Sequence, residues 1–401
     1  MRPYSLHSLL RLALLLCFLA SRLFVYAQET SGPKTTYVFR LKHKPDGFSL
    51  FSSLVNVESS AKTLANEPAL GKRNVIRGDL RLTPKGQNLL PFIWDSGAAK
   101  LYLDLNRNGD LSDDPVFESS GEKRMANSQQ EFKNVVLPSS RGPEFGLWNV
   151  DIWLWTRLYM DTISGVTGAG LIVHSGWEGE VVLYGRKLIM SVVDGADGLI
   201  AERDTLALRD AGKSYHPMYE IAGVPKRLFF GGHLYEPSFQ LEPGEKGGVL
   251  VAQFRETESP LGECRVVGQH IARLVLSQSN SMVAILDEPS GEVAIPVGTY
   301  DRQDVFLDGG SSVGVFRTVV RTRGLRVFRD VPVSISMGAP LRNSVKVEAS
   351  VLRNMLRLGY ELRGADGEIY DPYPRHDPKR APKFAIYGNN KKVGSGSFAY
   401  G

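Results

Sequence analysis

Apolar and polar residues alternate along most of this chain with a period of two, the spacing that puts successive side chains on opposite faces of a β-strand. Tyr37-Val38-Phe39-Arg40-Leu41, Leu101-Tyr102-Leu103, Val150-Asp151-Ile152-Trp153-Leu154-Trp155 and Lys187-Leu188-Ile189-Met190 predict strands. Gly248-Val249-Leu250-Val251-Ala252 and Lys383-Phe384-Ala385-Ile386-Tyr387 do the same. Between such segments stand turn formers: Tyr184-Gly185-Arg186, Gly231-Gly232-His233, Asp308-Gly309-Gly310 and Gly388-Asn389-Asn390. Helical periodicity is nearly absent, and the best short candidate runs from Ser60 to Glu67, ended by Pro68. Many short strands with frequent glycine turns predict an all-β chain of multi-domain β-sandwiches with few helices.

The 401 residues exceed what one hydrophobic core normally organises. The polar break Ala211-Gly212-Lys213-Ser214, followed by His216-Pro217, sets the first boundary. The second falls where glycine turns and an arginine-rich hairpin interrupt the pattern between Leu307 and Gly338. The expected organisation is an export segment over 1–27, an N-terminal β domain over 28–212, a sandwich over 213–330 and a C-terminal β domain over 331–401.

At the N-terminus, Arg2 and Arg11 precede the apolar run Leu12 to Ala20, and Val25-Tyr26-Ala27 suits a signal peptidase. The run is too short for a stable membrane anchor, which needs about 20 apolar residues. Cys17 would suit lipidation, but Leu16 stands before it where a small residue is wanted, so cleavage near Ala27 is the expectation. The protein is therefore expected to be exported, to the periplasm, the cell surface or the medium, with no transmembrane segment after cleavage. Loss of Arg2, Arg11 and Arg22 lowers the formal charge from +5 to +2, which gives no reason to expect nucleic acid as a partner. It also leaves Cys264 as the one cysteine, so no intramolecular disulfide can form.

The chemistry most legible from spacing lies in Asp104-Leu105-Asn106-Arg107-Asn108-Gly109-Asp110-Leu111-Ser112-Asp113-Asp114. Oxygen-bearing side chains stand at positions one, three and five of a loop with glycine at six, the arrangement a calcium ion needs to gather six to eight hard oxygens. Asp104, Asn106 and Asn108 supply side-chain oxygens, Asp110 adds its backbone carbonyl, and Ser112 acts directly or through water. Pro115 occupies the position of the usual bidentate glutamate, leaving Asp113 or Asp114 to close the shell. The alternative is a metal-free Asn-Gly turn. Over these eleven residues the loop resembles the isolated aspartate-rich calcium loops of secreted bacterial proteins, such as those of dockerin modules. A second strand-then-acid sequence, ending in Asp194-Gly195-Ala196-Asp197-Gly198 with Glu202 and Asp204 beyond, has compressed spacing and suits a plain hairpin turn better than a metal.

Ile295-Pro296-Val297-Gly298-Thr299-Tyr300 resembles the strand entry of transthyretin-like and carboxypeptidase-regulatory-like sandwiches. Ser175 to Gly179 and Ser395 to Gly401 are similar to pieces of uncharacterised exported bacterial β proteins. The resemblance implies an immunoglobulin-like or prealbumin-like module after about residue 215 and assigns no activity.

A search for catalysis is mostly negative. No two histidines stand four apart around a glutamate. Gly310-Ser311-Ser312-Val313-Gly314 matches a nucleophile elbow, but a strand pattern follows it instead of a helix. Gly165 to Gly170 lacks a phosphate-loop lysine, and His174, His216, His233, His270 and His376 are scattered. Two surfaces suit a ligand. Trp153, Trp155 and Tyr159 share one strand face and offer a stacking platform for sugar rings, although apolar Val150, Ile152 and Leu154 opposite them also suit a strand buried on both sides. Arg317, Arg321 and Arg323, with Arg326 and Arg329 across an expected turn at Gly324, make a basic stripe that could meet an anionic polysaccharide or lipid but suits a solvated edge that discourages strand aggregation better. The expected role is an exported, non-enzymatic structural or adhesive cell-surface protein with structural calcium, whose partner is a cell-surface polysaccharide or another surface protein. The alternative is a carbohydrate-binding protein or glycan-active hydrolase that uses the aromatic stripe.

Overall fold

The computed structural model describes residues 35–59, 64–68, 70, 75–82, 88–119, 129–159, 162–201, 204–211, 219–279, 281–308, 315–350, 355–373 and 382–398. The expected export segment over 1–27 lies outside them. Every segment that alternates in the sequence lies in a strand, and the chain is all-β. The one helical element among the described residues is a single 3₁₀ turn, Pro143–Phe145. Residues 60–63 of the helix expected at Ser60 to Glu67 are outside the description, and Ala65 and Asn66 form a bridge and a turn.

After β1 (Thr36–Lys44) comes an eight-stranded antiparallel sheet. It contains β2 (Leu50–Ser59), β3 (Val75–Arg81), β4 (Leu89–Asp95), β5 (Lys100–Leu103), β6 (Val116–Glu118), β7 (Gln129–Pro138), β8 (Leu147–Tyr159) and β9 (Thr162–Val173). Their spatial order is β6-β5-β4-β3-β2-β9-β8-β7. The chain then forms β10 (Gly176–Leu183), β11 (Arg186–Val193), β12 (Thr205–Asp210), β13 (Glu220–Ala222), β14 (Arg227–Phe230), β15 (His233–Glu242) and β16 (Val249–Thr257). Next come β17 (Leu261–Val267), β18 (Ile271–Gln278), β19 (Met282–Asp287), β20 (Gly291–Pro296), β21 (Gly298–Asp308) and β22 (Val315–Val327). The remaining strands are β23 (Val333–Ser336), β24 (Arg342–Ser350), β25 (Met355–Arg363), β26 (Ile369–Tyr373), β27 (Lys383–Gly388) and β28 (Lys391–Ser397).

Fifteen of these strands form one long sheet, ordered β13-β12-β11-β10-β1-β16-β15-β14-β19-β18-β21-β22-β26-β25-β24. It runs through all three expected segments, with β12 and β13 pairing across position 212. A three-stranded sheet, β20-β17-β23, and the hairpin β27-β28 complete the architecture.

The middle of the long sheet is buried on both faces. Leu228 and Phe230 of β14, Val275 of β18 and Val283 and Ile285 of β19 enter the larger core, which also holds Leu80, Phe92 and Trp148 of the eight-stranded sheet. The alternate residues Phe229, Leu274, Leu276, Met282 and Ala284 enter a second core, against Cys264 and Val266 of β17 and Ile295 of β20. Two-sided burial explains why these strands read as unbroken apolar runs while β1 and β17 alternate. Within the first core the Trp148 and Trp177 rings meet edge-on at 6.4 Å and link the two sheets. Cys264 is unpaired and fully buried, and burial pushes its thiol up to about 11.

Three expected hairpins have two-residue turns. Tyr184-Gly185, Gly231-Gly232 and Asn389-Asn390 all have positive φ, the backbone of a type I′ turn. At Gly324 the expected turn is absent. β22 continues through it, and two extra residues between Arg321 and Leu325 are absorbed as a bulge opposite Tyr300–Arg302, with Gly324 at φ +96°.

One charged network is held inside this framework. Arg273, 2% exposed on β18, donates from Nε to Asp287 Oδ1 at 2.7 Å and from Nη1 to the Leu208 carbonyl at 3.0 Å. Arg186 bridges Asp287 at 3.2 Å and Asp210 at 2.8 Å, so β11, β12, β18 and β19 are tied together by two guanidinium groups. Removing a partner from a buried charge costs about 3–5 kcal/mol. Asp287→Ala is therefore expected to destabilise the fold by about that amount. Denaturant unfolding measures it, and a loss no larger than that of an ordinary surface substitution would contradict the network's role.

Candidate functional site

The acidic loop joins β5 to β6, so strands flank it as expected. It is organised by side chains folding back onto its own backbone. Gly109 N–H donates to Asp104 Oδ2 (2.9 Å), Asn108 N–H to Asn106 Oδ1 (2.9 Å), Asp110 N–H to Asn108 Oδ1 (2.7 Å) and Ser112 N–H to Asp110 Oδ1 (2.8 Å). Both the Asn106 and the Asn108 amide groups donate to Asp113 Oδ2 at 2.9 Å, and Leu105 N–H donates to Asp114 Oδ1 at 3.2 Å. Positive φ at Arg107 (61°) and Gly109 (81°) gives the loop its tight curl.

A distant segment clamps it. Ala65 N–H donates to the Gly109 carbonyl at 2.7 Å, Leu111 N–H to the Ala65 carbonyl at 3.2 Å, and Asn66 Nδ2 to Asp110 Oδ2 at 2.8 Å. Arg107 reaches the Leu105 carbonyl and Asn88 Oδ1. No spacing rule points to Ala65, Asn66 or Asn88, because their contact with the loop exists only once the chain has folded.

Two oxygens stand out. Asp104 is 1% exposed, and its Oδ1 has no hydrogen-bond donor among the described residues; the same is true of Asp114 Oδ2. Burial, joined by the charges of Asp113, Asp104 and Asp110, raises the Asp114 carboxyl above its ordinary value. The Asp110 carboxyl is lowered, chiefly by the Ser112 N–H. Of the seven predicted ligands, the fold thus brings Asn106, Asn108 and Asp113 together, buries the Asp104 carboxylate, and leaves Asp114 half-buried with its Oδ2 shielded. Among the described residues no group of three or more His, Cys, Asp or Glu side chains is placed to hold a metal ion.

The second acidic loop is satisfied from within. Asp194 accepts from the N–H groups of Asp197 (3.0 Å) and Gly198 (2.8 Å), and Asp204 from those of Gly195 (2.8 Å) and Ala201 (2.5 Å). Each carboxylate thereby closes its own stretch of turn. Beside the loop is an open groove of about 630 Å³, lined by Leu199, Asp204, Lys226, Pro237 and Phe239 among others.

The aromatic face proves one-sided. Trp148, Val150, Ile152 and Leu154 point into the core, while Trp153 and Trp155 are half-buried on the other face of the sheet. They pair with Gly170 and Gly168 on β9, and a side chain at Gly168 would meet the Trp155 ring at 2.4 Å, so that ring lies down over the glycine. Trp153 pairs on its other side with Glu131. Along the same face His174 Nε2 meets Asp151 Oδ2 at 3.1 Å, and Asp151 Oδ1 accepts from Asn134 N–H. The side chains of Tyr159, Arg317, Arg321 and Arg323 lie outside the described residues, as do His216, His376 and the Gly310–Gly314 segment. His233, which spacing left isolated, stacks on Tyr184 at 3.6 Å between ring centroids and meets Glu256 Oε1 through Nδ1 at 2.6 Å.

No protein family, no curated protein and no solved structure matches this chain.

Burial, with the charges of Asp204 and Asp197, holds the Asp194 carboxyl well above the usual carboxylate range. The folded chain therefore keeps a proton that the unfolded chain releases near about pH 3.9. The stability this supplies is complete below that pH and is lost as pH rises through the folded-state value. Asp194→Asn has no such proton to lose, so its Tm is expected to gain on that of the unmutated chain as pH is raised from about 4 to 8. Thermal melts at stepped pH check this, and a constant difference between the two proteins would refute it.

Proposed function

We propose that this is an exported, non-enzymatic structural or adhesive cell-surface protein whose 104–114 loop takes a structural calcium ion. The observation that carries this reading is Asp104. Its carboxylate is buried at the root of the loop with one oxygen undonated, and Asp114 contributes a second such oxygen. A buried carboxylate oxygen without a donor carries a desolvation penalty that a hard cation relieves. The Asn106 and Asn108 amides hold Asp113 beside the loop, and its release from them would free its carboxylate to join the same shell. The loop is also clamped to Ala65 and Asn66, so ordering it orders a second segment, in the connection between β2 and β3, as a structural ion does. The extended β sheets suit an architectural role. For the part after about residue 215, the Ile295 to Tyr300 strand entry supports an immunoglobulin-like or prealbumin-like assignment.

The runner-up is carbohydrate binding. It draws on the half-buried Trp153 and Trp155 beside Glu131 and the Asp151–His174 pair, a mixed aromatic and polar surface of the kind that holds sugar rings. The buried, unpartnered Trp153 Nε1 and the seating of Trp155 on Gly168 favour packing over a platform.

Calorimetry with calcium and with chelator tests the main reading. At about 1 mM free ion and a dissociation constant of about 0.1 mM, linkage gives about 1.4 kcal/mol of stabilisation, enough to raise Tm by a few degrees. Asp104→Ala is expected to abolish the calcium-dependent part of that shift. Superimposable melts of the unmutated chain in calcium and in chelator would leave the loop as a turn only.

A further inference from the structure

The long sheet ends at β13 on one side and β24 on the other, and the eight-stranded sheet ends at β6 and β7. Three of these four edges are unsuited to pairing. β13 and β6 are three residues each, and β7 is broken by a bulge between Phe132 and Val135. β24 differs, with nine residues in unbroken register with β25, from Arg342 opposite Arg363 to Ser350 opposite Met355. Among the described residues its other side has no neighbour.

The two faces of this ribbon are distinct. Val345 and Val347 are 50% and 61% exposed on one face, alongside Tyr360 of β25, whose ring lies 5.4 Å from Phe398. On the other face are Ser344, Lys346 and Glu348, with Lys346 reaching Glu361 at 2.6 Å and Glu361 also meeting Arg363. The order Lys346-Val347-Glu348 complements itself. In an antiparallel pair of two copies centred on Val347, Lys346 of each stands opposite Glu348 of the other, and Val347 stands opposite Val347. Opposite charges placed directly across an antiparallel pair are favourable, and like charges are not.

From this edge we infer that the protein self-associates as a two-fold dimer, β24 pairing antiparallel with β24 of a second copy about Val347. The join extends the long sheet across the symmetry axis and sets the exposed Val347 of each copy against its counterpart. It is an isologous contact, so every substitution in it acts twice. It does not depend on the calcium loop, which lies in the other sheet, and its test is read independently of metal.

Sedimentation velocity of the full chain across the micromolar range tests it, together with the variants Lys346→Glu and Glu348→Lys. The unmutated chain is expected to show a concentration-dependent dimer. Each single variant puts like charges opposite each other at both positions and is expected to weaken the dimer about tenfold or more. An equimolar mixture of the two variants restores both opposite-charge pairs, so it is expected to dimerise where neither variant does alone. Chains damaged by the substitutions would not be rescued by mixing. A monomer at every concentration, single variants that dimerise like the unmutated chain, or a mixture that stays monomeric would each overturn the assignment.

Discussion

The rest of the fold depends on β14, β18 and β19 being covered on both faces. A strand in that position has no polar side to give to water, so its sequence must be apolar at every residue and its backbone groups must all be paired within the sheet. Phe229 and Leu228 on adjacent positions serve different cores, as do Leu274 and Val275, and Met282 and Val283. The two cores are in this way separate in composition but mechanically one, because displacement of any of these strands opens both. Arg273 within β18 stands opposite Asp287 at the end of β19, and their ion pair is the exception that two-sided burial permits only because Arg186 and the Leu208 carbonyl complete it.

Much of this was legible before folding. Alternation found the strands at 37–41, 101–103, 150–155, 187–190, 249–252 and 383–387, since period two is a local property of half-buried strands. Positive-φ turn residues marked the hairpins at Gly185, Gly232 and Asn389 for the same local reason. What local pattern could not reveal was pairing. Gly324 carries the residue type of a turn and the backbone of a bulge, and only Tyr300 and Arg302 across the ladder distinguish the two. Trp153 and Trp155 alternate as expected, but which of the two faces they occupy is decided by β9, whose glycines at 168 and 170 make room for them.

The candidate site divides in the same way. The spacing of Asp104, Asn106, Asn108 and Gly109 reports the curl of the loop, because each side chain caps the backbone two to five residues on. The clamp from Ala65 and Asn66 and the capture of both asparagine amides by Asp113 depend on tertiary placement and leave no mark in the spacing. The second acidic stretch, which suits a plain hairpin turn by its spacing, is the longer connection from β11 to β12, in which Asp194 and Asp204 accept from backbone N–H groups. Nothing in its sequence announced that Asp194 and Asp204 would be buried side by side.

The position of β1 has a consequence for the order in which the molecule can be assembled. It is the first described strand of the chain, yet it lies between β10 and β16, with Lys44 meeting Glu178, 134 residues on, and Arg40 meeting Glu242, 202 residues on. A chain made from its N-terminus can pair Lys42–Lys44 only once β10 exists and Thr36–Lys42 only once β16 exists, while the eight-stranded sheet that follows β1 can already close through contacts nearer in sequence. Its ladder to β16 is therefore completed only after the chain has run through β16. Until β1 is in place, β10 and β16 carry unpaired edges of the kind that invite mispairing, and β1 covers both.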